Sequence, residues 1–454
     1  MARRSSRRAK LPSEPVVLQI ESLNHEGRGV AHRDGKVLFV EGALPGEQVQ
    51  ATYIRRRGQF DELRTDAVLQ AGEQRVTPPC PVASRCGGCS LQHLQENAQL
   101  QFKQSVLLEK LLHATGVTAD RVKLLPAIRS DGLHYRRKAR LAVRVVASRG
   151  GALVGFREKH SSFITAMEDC PVLHPTAARM IAPLRQLICG LEASRHIPQI
   201  EVAVGELDEH GSGFRLALVL RHMAALGAND MATLLQFART HDFDLYLQPS
   251  GVASVHKVYP ESPAERLQYF LPDSQLRLQF HPLDFTQVNA DVNRRIVARA
   301  LQQLELSRDD SVLDLFCGIG NFTLAIARCA GRVLGVEGSD ELVKRARDNA
   351  GLNAISNAEF HSANLMQPMA SANWSQQSFN KLLLDPPRSG ALEVVPQLWG
   401  LGVEKIVYVS CNPATLVRDA KLLMDAGYQL NSVGVMDMFP HTTHVESMAV
   451  FDRT

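Results

Sequence analysis

VLDLFCGIGNFTLAIAR, residues 312–328, is the segment that most clearly indicates the architecture of the C-terminal part of the chain. An apolar run of strand length leads into a glycine-rich turn and then into a stretch with helical periodicity. Similar apolar runs recur at 332–338, 381–387 and 405–411, with helical stretches between them. Continuous apolar strands that alternate with helices predict a parallel sheet covered on both faces. We therefore predict a Rossmann-like α/β domain over residues 280–454.

The end of the chain departs from this alternation. Residues 432–440 and 445–453 both have the composition of strands, and the segment between them is too short for a helix. Strands that are joined so closely pair in the antiparallel direction. We therefore predict an antiparallel hairpin at one edge of the sheet.

The first part of the chain predicts two further domains, in keeping with its length of 454 residues. Residues 12–72 alternate short apolar runs with turns that contain Gly or Pro, which is typical of a small antiparallel barrel. Residues 73–279 combine a helical stretch at 94–115 with strand-like segments, which predicts an α+β domain with an antiparallel sheet. Residues 1–11 are predicted to be a flexible basic arm. The strand-like segments of the middle domain are 138–146, 151–158, 199–206 and 214–220.

The composition is that of a globular protein without a membrane segment. Hydrophobic residues make up 45% of the chain, yet no apolar run approaches the roughly 20 residues that a membrane span needs. The basic N-terminus leads into LPSEP rather than into an apolar region, so we do not expect a secretory signal. We expect a cytoplasmic protein that acts as a monomer.

Positive charge is clustered rather than large, because the formal net charge is only +4. The clusters lie in the first ten residues, at Arg55–Arg57 and at Arg136–Arg140. Such clusters suit contacts with phosphate groups. A solvated face or a disordered tail is the alternative for each of them, but three clusters together favour RNA as the partner.

The glycine-rich turn predicts a site for a nucleoside-containing cofactor. Gly318 and Gly320 let the backbone turn sharply and approach a ligand, although a lone G-x-G is often only a tight turn. Glu337 ends the next strand, where a carboxylate can accept both hydroxyl groups of a ribose. The turn lacks the complete glycine pattern of a nicotinamide-cofactor site and fits S-adenosylmethionine better. Cys317, inside the turn, is predicted to be a packed residue.

Cys411 is the candidate nucleophile. It directly follows the apolar run 405–410, and Asn412 and Pro413 begin a helix. Ligands of open α/β sheets bind at the carboxyl ends of the strands, which favours an active-site thiol over a buried structural cysteine. A thiolate that adds to carbon 6 of uracil makes carbon 5 nucleophilic enough to accept a methyl group. The helix N-terminus is expected to lower the pKa of this thiol.

Two acids are predicted to assist the thiol. A base must remove the proton from carbon 5 after methyl transfer, and Glu446, at the start of the last strand, is the candidate, with a surface acid as the alternative. Asp385 can bind an N–H of uracil or orient the cofactor, although Asp-Pro-Pro is also found in rigid loops without chemistry. His441 and His444 are predicted to shape the site rather than bind a metal, because no further ligands lie nearby in the sequence.

Cys80, Cys86 and Cys89 predict a metal site because three thiols lie in one short segment with glycines between them. Cys170, which like Cys80 precedes a proline, is the candidate fourth ligand. Zinc and a 4Fe–4S cluster both accept four thiolates, and the spacing does not decide between them. The spacing differs from the C-x3-C-x2-C triad of radical enzymes, which favours a structural or RNA-contacting site.

These motifs together resemble the RNA 5-methyluridine methyltransferases over nearly the whole chain. FTQVN, DLFCGIGNF, GVE, LLLDPPRSG, SCNPATLVRD and HTTHVE follow the order of that family's catalytic motifs. SLNHEGRGVA and GALPGE resemble its TRAM domain, an OB-like RNA-binding barrel. The related transfer-RNA enzyme lacks both this barrel and the cysteine motif, so the resemblance favours a uridine of 23S ribosomal RNA as the target.

The resemblance also implies roles for individual residues. It implies Cys411 as nucleophile and Glu446 as general base of a reaction that uses S-adenosylmethionine. It implies a 4Fe–4S cluster on Cys80, Cys86, Cys89 and Cys170. The implied cofactor contacts are Gln287, Phe316, Gly318, Gly320, Asn321, Glu337, Asn364 and Asp385.

Three alternatives stay open at this point. The same thiol chemistry would serve methylation of carbon 5 of cytosine, with Asp385 reading a different ring edge. A uridine of another ribosomal or transfer RNA is a second alternative. A non-catalytic RNA-binding assembly factor is the third, and it predicts that Cys411→Ala leaves all function intact.

Overall fold

The computed structural model describes residues 11–261, 266–367 and 373–453. The chain divides into two compact units, of which the first comprises Met1–Phe102 with His441–Thr443 and the second Lys103–Pro440 with His444–Thr454. The predicted domain boundaries after residues 72 and 279 stay predictions. The predicted basic arm at residues 1–11 lies outside the described residues, apart from Leu11.

The first unit contains a six-stranded sheet in the order β1-β5-β6-β4-β3-β2. Its apolar side chains alternate along the strands and form one core, which includes Leu38, Val49 and Leu63. All neighbours pair antiparallel except β4 and β6, which are parallel, so the prediction of a wholly antiparallel barrel is wrong at this pair. The strands are β1 (Val16–Gln19), β2 (Ser22–Leu23), β3 (Gly29–Arg33), β4 (Lys36–Glu41), β5 (Gln48–Arg56) and β6 (Phe60–Gln70).

The middle of the chain forms a second six-stranded sheet, in the order β13-β12-β11-β10-β8-β9. Its neighbours pair antiparallel except β11 and β12, because a helix, α4, carries the chain back between them and makes this pair parallel. The elements are α1 (Glu96–Thr115), β7 (Lys123–Leu124), β8 (Lys138–Val146), β9 (Gly151–Gly155), α2 (Pro175–Ala178), α3 (Ile181–Gly190), β10 (Gln199–Glu206), β11 (Phe214–Arg221), α4 (Ala228–His241), β12 (Asp244–Gln248) and β13 (His256–Tyr259). A two-stranded hairpin, β14 (Leu267–Leu271) and β15 (Leu276–Phe280), follows.

The C-terminal part forms an eight-stranded sheet in the order β18-β17-β16-β19-β20-β22-β21-β7. The first five of these strands are parallel, as the sequence predicts. Among the described residues, α-helices connect β16, β17 and β18, whereas only short 3₁₀ helices lie between β18 and β19 and between β19 and β20. The elements are α5 (Ala290–Leu304), β16 (Ser311–Leu315), α6 (Thr323–Ala327), β17 (Arg332–Glu337), α7 (Asp340–Leu352), β18 (Ala358–Ser362), β19 (Lys381–Leu384), β20 (Lys405–Ser410), α8 (Pro413–Asp425), β21 (Tyr428–Met436) and β22 (Glu446–Arg453).

The terminal hairpin is antiparallel as predicted, but its place in the sheet differs from the prediction. The last strand, β22, inserts between β20 and β21, and the short β7 pairs with β21 beyond it. Six consecutive residues from Glu446 are buried, so β22 needs neighbours on both sides to bond its backbone groups away from water. Leu125 continues the contact of β7, because its N–H donates to the carbonyl of Val433 at 2.9 Å.

Side-chain caps begin the helices that surround the candidate site. The side chains of Asn289, Ser339 and Asn412 accept the backbone N–H groups of Val292, Leu342 and Ala414, at 3.2, 3.4 and 3.1 Å. Such caps satisfy the first N–H groups of a helix and define where it begins. Among the described helices, none has the length and the apolar character to cross a membrane.

Candidate active site

The sheet brings the predicted nucleophile and the predicted base together. Cys411 directly follows β20, and Glu446 begins β22, which runs antiparallel to it. Ser410 pairs with Ser447 across these strands, so the next position along each strand is Cys411 on one side and Glu446 on the other. Asp385 follows the neighbouring strand β19 at the same edge. The three side chains that sequence analysis singled out therefore share one end of the sheet.

Cys411 is a half-buried thiol whose pKa lies far above neutrality. Burial, followed by the nearby carboxyl groups of Glu446 and Asp385, raises this pKa to about 11, and Arg388 lowers it by less than these causes raise it. The expectation of a lowered pKa at the N-terminus of α8 is therefore wrong. Loss of water and two nearby acids outweigh a helix terminus, whose effect is modest and short-ranged. The resting thiol carries its proton at neutral pH.

Glu446 is buried, with 6% of its surface exposed. Burial raises its pKa to about 8, and repulsion from Asp385 acts in the same direction, whereas Lys103 and Arg388 lower the pKa. A carboxyl group that titrates near neutrality exchanges protons readily in both directions at physiological pH. The position and the pKa of Glu446 therefore suit a general base.

Asp385 sits in a loop that several hydrogen bonds hold to α8. Burial of its carboxyl group raises the pKa to about 7. The carbonyl of Arg388 accepts a hydrogen bond from the side-chain amide of Asn412 at 3.0 Å. The carboxylate of Asp419 accepts the N–H of Ala391 at 2.7 Å, just beyond the loop. The Asp-Pro-Pro-Arg loop is thus fixed on the helix whose start follows Cys411.

Two charged residues of the site were missed by the sequence analysis. Arg388 is exposed, and its charge lowers the pKa of both Cys411 and Glu446. Lys103 is fully buried, and its ammonium group donates to Asp437 at 2.6 Å and to the carbonyl of Phe439 at 2.9 Å. Its pKa is lowered by burial, while Asp437 and Glu446 oppose that change. Arg388 could have been found from the Asp-Pro-Pro-Arg motif, but no local pattern marks Lys103.

The glycine-rich turn folds back onto the end of β17. Phe316, Gly318 and Gly320 have φ angles of 67°, 56° and 90°, which the two glycines adopt without strain. The N–H groups of Phe316 and Cys317 donate to the carbonyl of Val336, at 2.8 and 3.1 Å. The carboxylate of Glu337 accepts the N–H of Gly318 at 3.2 Å, so turn and acid are held together.

Asp314, inside β16, is a further acid that the sequence analysis did not single out. One of its oxygens accepts the hydroxyl of Thr323 at 2.5 Å, and the other is buried without a hydrogen-bond partner among the described residues. Burial raises its pKa to about 8, and the charges of Asp385 and Glu337 also raise it. The charges of Asp385 and Glu337 near Asp314, together with its buried acceptor oxygen, fit a ligand that carries positive charge, as the sulfonium and amino groups of S-adenosylmethionine do.

Three other predicted cofactor contacts differ in their surroundings. The amide of Asn321 is bonded to Asn293 at 3.0 Å in both directions and accepts the hydroxyl of Tyr269 at 2.9 Å. Gln287 lines a small cleft of about 20 Å³ that Asn293 and Tyr269 also line. Asn364 is exposed after β18, and its side chain accepts the N–H of Met366 at 3.0 Å. The Asn321 side chain is thus held in place by protein groups.

The four cysteines of the predicted metal site are all buried. Cys80, Cys86 and Cys89 lie in the first unit, and Cys170 lies in the second. The sulfur of Cys86 accepts the N–H of Gly88 at 3.4 Å. In the part of the chain that the structure describes, no group of three or more Cys, His, Asp or Glu side chains is arranged to hold a metal ion.

The two candidate histidines make different contacts. In the first unit, the carbonyl of His441 accepts the N–H groups of Ser90 and Leu91, each at 2.9 Å. In the second unit, the ring of His444 packs on Phe439 with the ring centres 5.4 Å apart. Burial lowers the pKa of His444, and the charge of Arg388 lowers it further.

Of the three basic clusters predicted from the sequence, the two that lie within the described residues have acids beside most of their arginines. Arg137 pairs with Glu206 at 2.5 Å, and Arg140 pairs with Glu201 at 3.0 Å. Burial lowers the pKa of Lys138 to about 8. In the first unit, Arg55 and Arg56 lie 3.4 and 3.5 Å from Glu62 and Asp61. The predicted RNA-binding role of these two clusters is therefore weakened, because nearby carboxylates compete with phosphate groups for their arginines.

Comparison with known proteins places this site in a family. A family model described as tRNA (Uracil-5-)-methyltransferase matches residues 229–454, and a TRAM-domain model matches residues 16–54. A curated protein of Hahella chejuensis is 50% identical over 99% of this chain and the whole of that protein. The chain belongs to the RNA uracil-5 methyltransferase family. The resemblance inferred from the motifs is thereby confirmed.

The relatives of this uracil-5 methyltransferase carry more specific names. The Hahella protein and one from Alkalilimnicola ehrlichii, which is 50% identical over 98% of both chains, are each named 23S rRNA (uracil(1939)-C(5))-methyltransferase RlmD. Among solved structures, the Pyrococcus abyssi tRNA (uracil-54, C5)-methyltransferase in complex with S-adenosyl-L-homocysteine has a TM-score of 0.72. It is 24% identical, with 96% of this chain and 99% of that one covered. This likeness confirms the Rossmann-like fold, and the TRAM match confirms the identity of the N-terminal sheet.

Proposed function

We propose that this uracil-5 methyltransferase transfers a methyl group from S-adenosylmethionine to carbon 5 of uridine 1939 in 23S ribosomal RNA. The observation that carries the proposal is the pairing of Ser410 with Ser447, which sets Cys411 beside Glu446 at one end of the sheet. The names of relatives that are 47–50% identical over nearly the full length support the choice of uridine. Because one chain supplies the catalytic residues and the substrate is ribosomal RNA, we propose a monomer that works in the cytoplasm.

The proposed reaction begins with the thiol of Cys411. The half-buried thiol gives its proton to water, the sulfur bonds to carbon 6, and the electrons of the carbon 5–carbon 6 double bond move to the carbonyl oxygen at carbon 4. The carboxyl group of Asp385 is proposed to accept the N–H at position 3 of the uracil ring. Carbon 5 becomes nucleophilic and takes the methyl group, and the electron pair of the broken sulfur–carbon bond would stay on the sulfur of the departing cofactor. Glu446 then accepts the proton of carbon 5, the double bond returns, and the sulfur leaves as a thiolate.

S-adenosylmethionine would supply a methyl group on a positively charged sulfur, and the residues around the glycine-rich turn would hold it. Glu337 is proposed to accept the ribose hydroxyls, and the turn at Phe316, Gly318 and Gly320 lets the backbone approach the ligand. Asp314 and Asp385 are proposed to face the sulfonium and amino groups, whose positive charge would favour the ionised form of both carboxyl groups. Gln287, Asn321 and Asn364 are the remaining proposed contacts.

Glu337→Gln is expected to weaken binding of S-adenosylhomocysteine by about ten- to a hundredfold, because hydrogen bonds to a charged group contribute about 1.5–3 kcal/mol. Titration calorimetry measures this dissociation constant directly. Glu359→Gln is the matched control, since it removes the same charge from an exposed position on the next strand of the sheet. An unchanged dissociation constant in Glu337→Gln would remove Glu337 from the cofactor site.

The target uridine must leave its base stack to reach the thiol. Phe285 is 75% exposed and lies two positions before Gln287 on the segment that leads to α5, so it is a candidate surface on which an RNA base could stack. The sequence analysis did not single it out. The structural signal for this proposal is an exposed aromatic ring two positions from Gln287, a proposed cofactor contact.

Mapping methylated nucleotides in ribosomal RNA from a deletion strain tests the proposed function. We expect 23S RNA from that strain to lack 5-methyluridine at position 1939, and the purified protein to restore it with labelled cofactor. Matched RNAs with cytidine at the target position should stay unmethylated, which separates this proposal from cytosine methylation. Methylation restored at a different uridine would support the alternative target, and no methylation at all would support a binding protein without catalysis.

We further propose that Cys80, Cys86, Cys89 and Cys170 are ligands of a 4Fe–4S cluster. Four buried thiols have the donor chemistry that such a cluster needs, and the N–H of Gly88 on the Cys86 sulfur is the type of hydrogen bond that tunes cluster ligands. Zinc is the alternative ligand of four thiolates. The proposed role is structural, since no step of the reaction above requires electron transfer.

Protein prepared without oxygen is expected to be brown, to contain about four iron atoms and as many sulfides per chain, and to bleach in air. Cys86→Ser should lose most of the iron. Cys329→Ser, at an exposed cysteine, should keep it. A colourless anaerobic preparation with one zinc ion per chain would establish the alternative.

A further inference from the structure

A cleft opens on the middle sheet, away from the residues of the candidate active site. It has a volume of about 490 Å³ and lies against β8, between the segment that follows β9 and the turn that precedes β10. Arg144, Arg157 and Arg195 line it together with the hydroxyl-bearing Ser162 and Ser194. No acidic side chain lines it. The cleft is therefore positively charged and carries additional hydrogen-bond donors.

The charges of these arginines are available to a ligand. All three residues are exposed, and within the described ranges none of their side chains takes part in an ion pair or a hydrogen bond. Arg140, which precedes Arg144 on the same strand, differs because it is paired with Glu201. Guanidinium groups without acidic partners bind phosphate groups in a planar, two-pronged geometry.

An exposed aromatic ring lies at the border of the cleft. Phe163 is 66% exposed and stands between Ser162 and Ile164, which both line the cleft. Its backbone is held in place, because its carbonyl accepts the N–H of Glu158 at 2.9 Å and its N–H donates to the hydroxyl of Ser161 at 3.0 Å. Arginines beside an exposed aromatic ring form the combination with which proteins bind single-stranded nucleic acid.

We infer that this cleft, defined by Arg144, Arg157, Arg195 and Phe163, binds the sugar–phosphate backbone and one unstacked base of the RNA substrate outside the catalytic site. The inference rests on the proposed function only in taking RNA as the substrate. This cleft, rather than the basic clusters at Arg55–Arg57 and Arg136–Arg140, would be the main phosphate contact, because acidic residues pair with most of the arginines in those clusters. Its arginines come from three distant segments, so no run of positive charge marks them in the sequence.

The test compares charge-removing variants of the full-length protein in RNA binding and in methylation. Arg144→Gln/Arg157→Gln/Arg195→Gln is expected to raise KM for the ribosomal RNA fragment at least about tenfold and to leave kcat at saturating RNA unchanged. The slope of log Kd against log salt should fall by about two to three, since each lost phosphate contact contributes about 0.7–0.9. Phe163→Ala should weaken binding about five- to a hundredfold without changing the salt slope.

The matched control is Arg140→Gln/Glu201→Gln, which removes a paired arginine from the same strand and is expected to change neither KM nor the salt slope. Circular dichroism and thermal unfolding verify that the variants fold, which exposed positions should permit. Inorganic phosphate serves as a competing probe. If phosphate binds to the native protein, is lost in the triple variant and leaves RNA binding unaffected, the cleft is a small-anion site and the inference is overturned.

Different results would contradict the proposed methylation and the proposed RNA-binding cleft. If the native protein does not methylate ribosomal RNA, the proposed function is wrong, whatever the arginine variants do. If the native protein methylates the RNA and the triple variant has an unchanged KM and an unchanged salt slope, the function stands and the inference about the cleft is wrong.

Discussion

Cys411→Ala will abolish methyl transfer to RNA, with a rate loss of at least about 10⁴-fold, because removal of an attacking nucleophile leaves only binding and positioning to accelerate the reaction. Carbon 5 of uracil does not become nucleophilic unless the sulfur adds to carbon 6. Transfer of a labelled methyl group to a ribosomal RNA fragment measures the effect. Cys189→Ala is the control, since it removes an exposed thiol from the middle domain.

A second measurement tests the covalent step itself. RNA with 5-fluorouridine at the target position should form an adduct with the native protein that survives denaturation, because fluorine does not leave as a proton. Cys411→Ala and Cys411→Ser should form no adduct. A serine variant that methylates RNA as fast as the native protein would contradict the mechanism.

Glu446→Gln will stop turnover after methyl transfer rather than before it. The amide does not accept the proton of carbon 5, so the sulfur stays bonded to carbon 6, and a protein–RNA adduct should accumulate with ordinary uridine. We expect turnover to fall by about 10²–10⁴-fold, the range typical of general-base removal. A denaturing gel with labelled RNA measures the adduct, and Glu359→Gln should show native turnover without it. Full loss of methyl transfer without an adduct would assign Glu446 to an earlier step.

The pH dependence of the native protein and of Glu446→Gln tests the electrostatic coupling between Glu446 and Cys411. The base acts as a carboxylate, and because the pKa of Glu446 is raised to about 8, turnover of the native protein should rise with pH across neutrality. The negative charge of Glu446 raises the pKa of Cys411, so Glu446→Gln should lower that pKa from about 11. Alkylation rates of the thiol against pH measure this change, and an upward shift would contradict the arrangement.

Local sequence patterns were sufficient to predict strands and helices, because these elements follow from the order of residues along the chain. The apolar runs at 138–146 and 199–206 coincide with β8 and β10. They could be predicted because the side chains of a strand show their type and spacing along the chain. The strand–turn–helix at 312–328 likewise leads to a parallel sheet. The position of β22 between β20 and β21, by contrast, depends on which strands are available to pair with it on both sides. Strand order is therefore a property of the whole sheet.

Residue type at fixed spacing is enough to predict the α/β catalytic domain and the glycine-rich turn, and to propose Cys411, Glu446 and Asp385 as the chemical groups. Folding set the electrostatics of these groups. It raised the pKa of Cys411 instead of lowering it and buried Lys103 near Glu446. It also neutralised the basic run at Arg136–Arg140 and assembled a different cluster from distant arginines. The physical reason is that desolvation and Coulomb interaction depend on distance through space, which separation along the chain does not fix.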